Sequence, residues 1–191
     1  MKKVTVRSSS SLGFPMPVLL IGADVEGKPN FLAAAWVMRC ESSPPQIAVA
    51  LAPHHTNLGM EAHREFSVNV PGKRLVAETD YCGIYSGNKV DKSALFSVFR
   101  GELEHAPMIE ECSVAMECRL VQQVSLAKHT IYIGSIENIF ADEYRVANGR
   151  ITDAELDAIL LSSSDKRYYA PGEFLARGWS CGKQVGTGGE S

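Results

Sequence analysis

Thr56 stands at the predicted start of a helix, in the segment His55-Thr56-Asn57. Free backbone N–H groups and the positive end of the helix dipole favour an anion at such a position. The threonine hydroxyl could donate a hydrogen bond to a phosphate oxygen there. An ordinary helix N-cap explains Thr56 equally well, so both interpretations stay open.

A second segment suited to a phosphate combines Ser86 and Gly87 with Lys92. Asp91 is a good N-cap, so the pattern places Lys92 in the first turn of a further helix. A cation there is unfavourable by roughly a few tenths of a kcal/mol because it opposes the helix dipole. A bound anion would explain the position; the alternative is a solvated side chain that points away from the helix.

Three consecutive alanines, Ala33, Ala34 and Ala35, precede Trp36 in a predicted strand. Alanine contributes little side-chain packing, so another body must fill the space beside this strand. That body is either a neighbouring element in close helix-on-sheet contact or a flat ring that lies on the backbone.

Several catalytic motifs are absent from the sequence. It contains no GxGxxG, no P-loop and no HExxH, and the serine in residues 83–87 stands one position late for a nucleophile elbow. His54, His55 and His63 do not have zinc-site spacing, and we expect adjacent histidines on a polar loop to be solvated. An enzyme with this sequence would therefore depend on a bound cofactor for its chemistry.

The cysteines form an odd set without a CxxC motif: Cys40, Cys82, Cys112, Cys118 and Cys181. Cys112 and Cys118 lie six positions apart in a predicted strand, so about 20 Å would separate them, beyond disulfide reach. We expect reduced thiols that serve as small, buried apolar side chains, and no metal site.

The composition is that of a soluble globular protein. Hydrophobic residues make up 45% and charged residues 21% of 191 residues, and the formal net charge is −3. This length suits one domain, and the charge gives no reason to expect a nucleic-acid partner. The apolar run at residues 18–23 is too short to span a membrane, and no export signal follows Met1. We expect a cytoplasmic protein with no membrane association.

Mainly strands are predicted from the order of apolar and turn residues. Val114, Met116, Cys118 and Leu120 alternate with Glu117 and Arg119 in a period of two. Pro44-Pro45 breaks the chain between two strands. The predicted strands span residues 17–24, 31–38, 46–52, 66–70, 113–124 and 130–140.

Short helices separate these strands. One begins at Thr56, with Leu58, Ala62 and Phe66 as its apolar stripe, and others run from 74 to about 81 and from Asp91. Residues 152–155 have the form of a capping box. The architecture that fits this order is mostly β with peripheral α: an antiparallel, Greek-key-like β-barrel in one domain spanning 1–191. Its core covers about 12–142, a helical or extended segment covers about 143–183, and a flexible tail covers 184–191.

The same motifs occur in this order in a known family. The chain resembles the flavin reductase-like family, and within it the FMN-binding split-barrel members of the flavoredoxin type, over about residues 12–142 and on to residues 168–169. Each motif is short, and their shared order and spacing carry the resemblance. The matching segments are Pro17-Val-Leu-Leu-Ile-Gly22, Gly27-Lys-Pro-Asn30, Ala34-Ala-Trp36, Pro44-Pro45, Thr56, Phe66-Ser-Val-Asn-Val70, Ser86-Gly87, Asp91-Lys92 and Lys128-His-Thr-Ile-Tyr-Ile-Gly134.

The resemblance implies a homodimer that holds FMN non-covalently near the subunit interface. The residues implied to lie along the flavin are Asn30, Ala33, Ala34, Ala35 and Trp36. Those implied to hold its phosphate are Thr56, Ser86, Gly87 and Lys92. The backbone of Leu51 would approach the ring, and His129 is either near the site or a satisfied barrel histidine. Many relatives have threonine in place of Ala33, so one side-chain hydrogen bond to the cofactor is missing here.

Three functions are compatible with this resemblance. The first is an oxidoreductase whose FMN takes reducing equivalents from NAD(P)H or a protein donor at N5 and passes them to an acceptor. The second is a flavoredoxin-like electron carrier without NAD(P)H turnover. The third is a flavin-free split barrel that serves as an interaction module.

Overall fold

The computed structural model describes residues 2–6, 14–151 and 157–185 of the chain. Strands predominate in these ranges, and two α-helices pack against them, which confirms the mostly β class predicted from the sequence. The predicted capping box at 152–155 and the tail beyond 185 lie outside the described residues. None of the helices within these ranges is long and apolar enough to cross a membrane.

Seven strands form one continuous antiparallel sheet, in the order β3-β2-β6-β9-β10-β5-β4. Shorter strands flank it. In chain order the strands are β1 (Met16–Pro17), β2 (Leu19–Val25), β3 (Lys28–Ala34), β4 (Val37–Ser42), β5 (Pro45–Leu51), β6 (Glu65–Val70), β7 (Val98–Phe99), β8 (Met108–Ile109), β9 (Val114–Ser125), β10 (Thr130–Ala141), β11 (Val146–Ala147), β12 (Arg150–Ile151), β13 (Leu160–Ser162) and β14 (Arg167–Tyr169).

The sheet is a barrel that stays open between its two edge strands, β3 and β4. These edges are consecutive in the chain, and only Ala35 and Trp36 connect them. The sequence predicts one strand over 31–38, and that prediction is wrong at this connection. The chain must leave the ladder of β3 to reach the opposite edge, where Ala50 N–H donates to Trp36 O at 2.9 Å. The connection therefore lies at the split of the barrel.

Apolar side chains fill the barrel from alternate positions of its strands. Leu19, Ile21 and Ala23 of β2 belong to this core, while Leu20 of the same strand joins a second cluster with Phe31 and Cys82 on the outer face. A strand that is buried on both faces reads as a continuous apolar run, as this one does in the sequence.

The first helix, α1 (His55–His63), differs from its prediction in two ways. Its N-cap is His54, whose backbone is extended and whose carbonyl accepts from Asn57 N–H at 3.1 Å, so Thr56 already lies in the first turn. The predicted apolar stripe is also wrong, because Leu58 is 56% exposed. Gly59 faces the sheet instead: a Cβ there would lie 2.2 Å from Asp24 O, so only glycine permits this close approach.

The second helix, α2 (Val76–Ile84), follows a 3-10 turn at Lys73–Leu75 and confirms the helix predicted from 74 to about 81. The helix predicted from Asp91 is wrong, because only a 3-10 turn forms at Ser93–Leu95. Asp91 Oδ1 accepts from Ser93 N–H at 2.9 Å and from Ser93 Oγ at 2.6 Å, which fixes a local turn. The chain then becomes extended and enters β7.

β9 and β10 confirm the two long strands predicted near the end of the barrel. The alternation predicted for β9 fails at Glu117, which is fully buried. Its carboxylate accepts from Leu103 N–H at 2.9 Å and from Asn138 Nδ2 at 2.6 Å. These hydrogen bonds satisfy the buried carboxyl group and dock the loop before β8 onto the sheet.

All five cysteines are free thiols, as predicted. Cys82, Cys112 and Cys118 are buried, in agreement with their predicted role as small apolar side chains. Cys40 and Cys181 are exposed, so that prediction is wrong for them. Cys40 lies on β4, at the edge of the sheet, and Cys181 begins a 3-10 turn near the end of the described chain.

Candidate functional site

A small cavity of about 100 Å³ brings together the four residues predicted to hold a phosphate. The first turn of α1, the end of α2 and the loop that follows α2 form its walls. Its lining consists of Leu32, His54, His55, Thr56, Gly83, Ile84, Tyr85, Ser86, Gly87 and Lys92. Residues far apart in sequence thus share one concave polar surface.

Thr56 and Asn30 form the floor of this region through a buried hydrogen bond. Asn30 Nδ2 donates to Thr56 Oγ1 at 2.6 Å, and both side chains are at most 5% exposed. The threonine oxygen is an acceptor in this bond, so its own O–H remains available to donate. Among the described residues this O–H donates no hydrogen bond.

Gly87 packs directly against the Asn30 amide. A Cβ at Gly87 would lie 2.0 Å from Asn30 Oδ1, so a larger residue would displace the amide. Ser86 is exposed, and its carbonyl accepts from Lys89 N–H at 3.0 Å in the turn that carries Gly87. This turn closes the side of the cavity opposite α1.

Lys92 is 1% exposed and holds the end of α2. Its Nζ donates to Cys82 O at 3.2 Å and to Tyr85 O at 3.1 Å, carbonyls that helix geometry leaves without a partner at a C-terminus. An ammonium group has three N–H bonds. Within the described residues these two carbonyls are its only acceptors, so one donor remains for the cavity.

Positive groups converge on this cavity. Burial lowers the pKa of Lys92 below its usual value. Desolvation lowers the pKa of His54, and the charges of Lys92 and His129 lower it further. Burial raises the pKa of Cys82 to about 11, although the nearby Lys92 charge opposes that shift. No carboxylate lines the cavity in the described part of the chain, so an anion would relieve the repulsion.

A larger polar cleft of about 420 Å³ adjoins the small cavity. The two share His55, Gly87 and Lys92, and Asn30 lines the larger one. Side chains of both charges line its walls. Hydrogen bonds from Ser93 are the main cause that lowers the pKa of Asp91 below its usual value, and the nearby charge of Lys28 lowers it further.

The three alanines do not share one environment. Ala33 faces α2, where a Cβ on Gly83 would lie 3.5 Å from the Ala33 side chain, so a close helix-on-sheet contact accounts for this residue. Ala34 belongs to the barrel core. Ala35 and Trp36 line an apolar concavity of about 880 Å³ at the split of the barrel. Only this last pair has open space for a ring beside it.

His129 acts on one residue of each concave region. Its ring centroid lies 4.8 Å from that of Trp36, and its charge acts on His54. Leu51 pairs with Thr130 across β5 and β10, and its side chain is 4% exposed in the barrel core. Leu51 can therefore offer only its backbone to a ligand.

His54 is one of the cavity residues that the sequence did not identify as part of the site. The adjacent histidines were expected to be solvated, and His54 is exposed. It also joins the end of β5 to the start of α1 and lines the cavity. Its place directly between a strand and a helix was the available signal. His63, by contrast, stacks on His105 at 3.7 Å, away from this cavity. Among the described residues no group of three acidic, histidine or cysteine side chains could hold a metal ion.

The residues present fit a ligand with an anionic end and an apolar ring. Thr56 O–H and Lys92 N–H offer two donors without acceptors, and the apolar concavity begins at Ala35 and Trp36. An open antiparallel barrel of this kind is a split barrel.

Comparison with known proteins shows the family. The model of the flavin reductase like domain matches residues 10–160, and the chain belongs to this flavin-binding family. It is similar to flavoredoxin from Methanosarcina acetivorans, with 38% identity and a TM-score of 0.91 over 96% of this chain and 98% of that one. Flavoredoxin of Desulfovibrio vulgaris (Miyazaki F) is 35% identical, with a TM-score of 0.85 over 95% and 100% of the two chains. A protein of Archaeoglobus fulgidus is 33% identical over 130 residues, which are 66% of this chain and 72% of that protein.

Proposed function

We propose that the protein is an FMN-binding oxidoreductase that passes reducing equivalents from NAD(P)H or a redox protein to an acceptor. The observation that carries this proposal is the polar cavity in which Thr56 and Lys92 each keep one donor without an acceptor. Bound FMN would supply the redox chemistry by taking up and releasing a hydride or electrons at N5. The protein would supply binding, orientation and exclusion of water.

The polar residues hold the phosphate end in this proposal. Lys92 N–H and Thr56 O–H donate to phosphate oxygens, and charge-assisted bonds of this kind are the stronger ones. Asn30 keeps the Thr56 hydroxyl oriented by donating to its oxygen. Gly87 and Ser86 close the opposite wall, where the absence of a side chain at Gly87 lets the Asn30 amide stay in place.

The ring end lies at the split of the barrel. Ala35 and Trp36 offer backbone and a ring edge there, and Ala48, Ala50 and Ile131 form an apolar wall. Ala34 and Leu51 contribute through the backbone alone, because their side chains are in the core. Ala33 packs against α2, so the small side chain leaves no open space beside the strand. Without a hydroxyl group, it also cannot form a side-chain hydrogen bond to the cofactor. His129 packs beside Trp36 and is our candidate for a side chain that contacts the flavin ring.

A homodimer would cover the same apolar region. Trp36 is 53% exposed and Met38 is 63% exposed, and both line the concavity of about 880 Å³. A contiguous exposed apolar surface of this kind marks an interaction site. Light scattering of the purified protein tests this directly: a mass of twice 20.8 kDa supports the dimer, and a monomer contradicts it.

A visible spectrum tests whether a flavin is bound. The purified protein, after addition of FMN and removal of the excess, should show flavin absorption. A colourless protein that takes up no FMN would leave a flavin-free interaction module as the function. Chromatography of the released cofactor separates FMN, which we propose, from FAD.

Anaerobic mixing with NADH and with NADPH tests the donor. Rapid bleaching of the flavin supports an NAD(P)H-dependent reductase. No bleaching with either nucleotide supports the second candidate, an electron carrier, which the similarity to two flavoredoxins at 38% and 35% identity favours. We place either activity in the cytoplasm, because the five free thiols fit a reducing compartment.

A further inference from the structure

His54 has a side chain that the fold does not use. Its backbone caps α1, but its imidazole makes no capping hydrogen bond, and within the described residues no hydrogen bond to the ring occurs. His54 is exposed, and it lines the same small cavity as Thr56 and Lys92. A histidine without a structural role at the wall of a cationic cavity is available to a ligand.

The surroundings of His54 favour its neutral form. Lys92 faces it from the loop after α2, and His129 faces it from the start of β10. His55 and Tyr85, from α1 and the end of α2, line the same cavity, and no carboxylate does so in the described chain. Desolvation and the neighbouring positive charges lower the pKa of His54. A phosphate dianion among these groups would reverse the balance and favour the imidazolium form.

We propose that His54 is a third ligand of the cofactor's phosphate and takes up a proton when FMN binds. The proposal rests on the proposed flavin site and adds a residue and a proton to it. The neutral imidazole gains H⁺ from solvent, and the imidazolium N–H donates to a phosphate oxygen. Because binding then consumes a proton, FMN affinity falls as pH rises through the interval between the pKa values of the free and bound states. The slope cannot exceed tenfold per pH unit for one proton.

Calorimetric titration of the apoprotein with FMN and with riboflavin tests the proposal. Measurements at pH 7 in two buffers of different ionisation enthalpy give the number of protons taken up. We expect uptake with FMN and not with riboflavin, which lacks the phosphate. His54→Gln should take up fewer protons with FMN than the original protein does and should weaken FMN binding by about three- to tenfold, a modest factor because the side chain is exposed. His54→Lys should keep FMN affinity within about twofold and reduce the proton uptake as much as His54→Gln does.

His63→Gln is the matched control, because His63 lies at the other end of α1 against His105. It should leave both affinity and proton uptake unchanged. Equal proton uptake in the His54→Gln variant and the original protein would overturn the proposal, and so would equal uptake with riboflavin. If neither FMN nor riboflavin binds, the proposed flavin site itself fails, which is a different result. The phosphate's own titration is common to all variants and cancels in the comparison.

Discussion

Asn30 Nδ2 lies 2.6 Å from Thr56 Oγ1 and joins the edge strand β3 to the first turn of α1. The bond is buried, and it occupies the acceptor side of the threonine hydroxyl. Thr56 can therefore donate its own hydrogen to a ligand in the cavity, although its position in the helix is not that of an N-cap. This hydrogen bond between β3 and α1 thus leaves the Thr56 hydroxyl free to donate to a phosphate.

Replacement of Thr56 tests this relationship. Thr56→Val removes the donor to the phosphate and leaves the Asn30 amide buried without its acceptor, which costs about 1–3 kcal/mol of stability. We expect FMN affinity to fall by about tenfold or more, measured by fluorescence titration, while the affinity for riboflavin changes little. Thr56→Ser keeps the hydroxyl and should bind FMN nearly as well as the original protein. If the valine and serine variants bind FMN equally, the hydroxyl does not contact the cofactor.

Gly87 offers a second test through its contact with the same amide. In Gly87→Ala the new methyl group would lie 2.0 Å from Asn30 Oδ1, so the amide must move and lose its bond to Thr56. We expect weaker FMN binding and a lower melting temperature. Gly172→Ala is the control, because no atom lies within 4 Å of a Cβ at that position. An alanine at 87 that binds FMN as tightly as glycine would show that the Asn30 orientation is unimportant.

Lys92 holds the end of α2 and, in our proposal, donates to the phosphate. A comparison of FMN with riboflavin binding in one variant separates these two roles. Lys92→Ala should weaken FMN binding more than tenfold, since a charge-assisted phosphate contact contributes about 1.5–3 kcal/mol. Riboflavin binding should change much less. Lys89→Ala is the control, because Lys89 lines only the larger cleft. Equal losses for FMN and riboflavin would mean that Lys92 acts through the end of α2, where it bonds to Cys82 O and Tyr85 O.

The strands were predictable because their apolar patterns are continuous and the turns between them contain glycine or proline. Residues 17–24 and 46–52 correspond to β2 and β5 within a few positions. The single strand predicted over 31–38 failed for a tertiary reason. Nothing local to Ala35 and Trp36 indicates that the chain crosses there from one edge of a barrel to the other.

The sequence identified the residues of the cavity better than it explained why they lie there. Thr56 was expected as an N-cap and Lys92 as a first-turn lysine, and both local arguments were wrong. Their place in one cavity follows from contacts between distant segments, such as Asn30 with Thr56 and Lys92 with the end of α2. Glu117 was missed for a similar reason: a carboxylate can be buried in a strand only where a loop supplies its donors, and that loop lies 14 residues away in sequence.

Thiol accessibility tests the packing around the cavity. Cys40 and Cys181 are exposed, and the other three cysteines are buried. Burial raises the pKa of Cys82 to about 11 and raises the pKa of Cys112 and of Cys118 as well, so little thiolate forms near pH 8. We expect two of five thiols to react rapidly with a chromogenic disulfide in the native protein, and all five in denaturant. Cys82→Ser should leave the rapid count unchanged, and rapid reaction of Cys82 would contradict the buried position.

Tyr132 should make the protein lose stability at alkaline pH. Its hydroxyl donates to Glu61 Oε1 at 2.6 Å, which ties β10 to α1. Burial, followed by the hydrogen bond and charge of Glu61, raises its pKa to about 12 from 10.0. The folded protein holds this proton more tightly than the unfolded chain does, so the free energy of unfolding should decrease as pH rises from about 10 to about 12. Urea unfolding at pH 9, 10 and 11 measures this slope. Tyr132→Phe should make the slope shallower and leave the part due to the other groups with raised pKa values, Cys82, Cys112, Cys118 and Tyr168. Tyr144→Phe, with a ring that is 70% exposed, should not change the slope. A phenylalanine variant with the same slope would show that other groups set the alkaline limit.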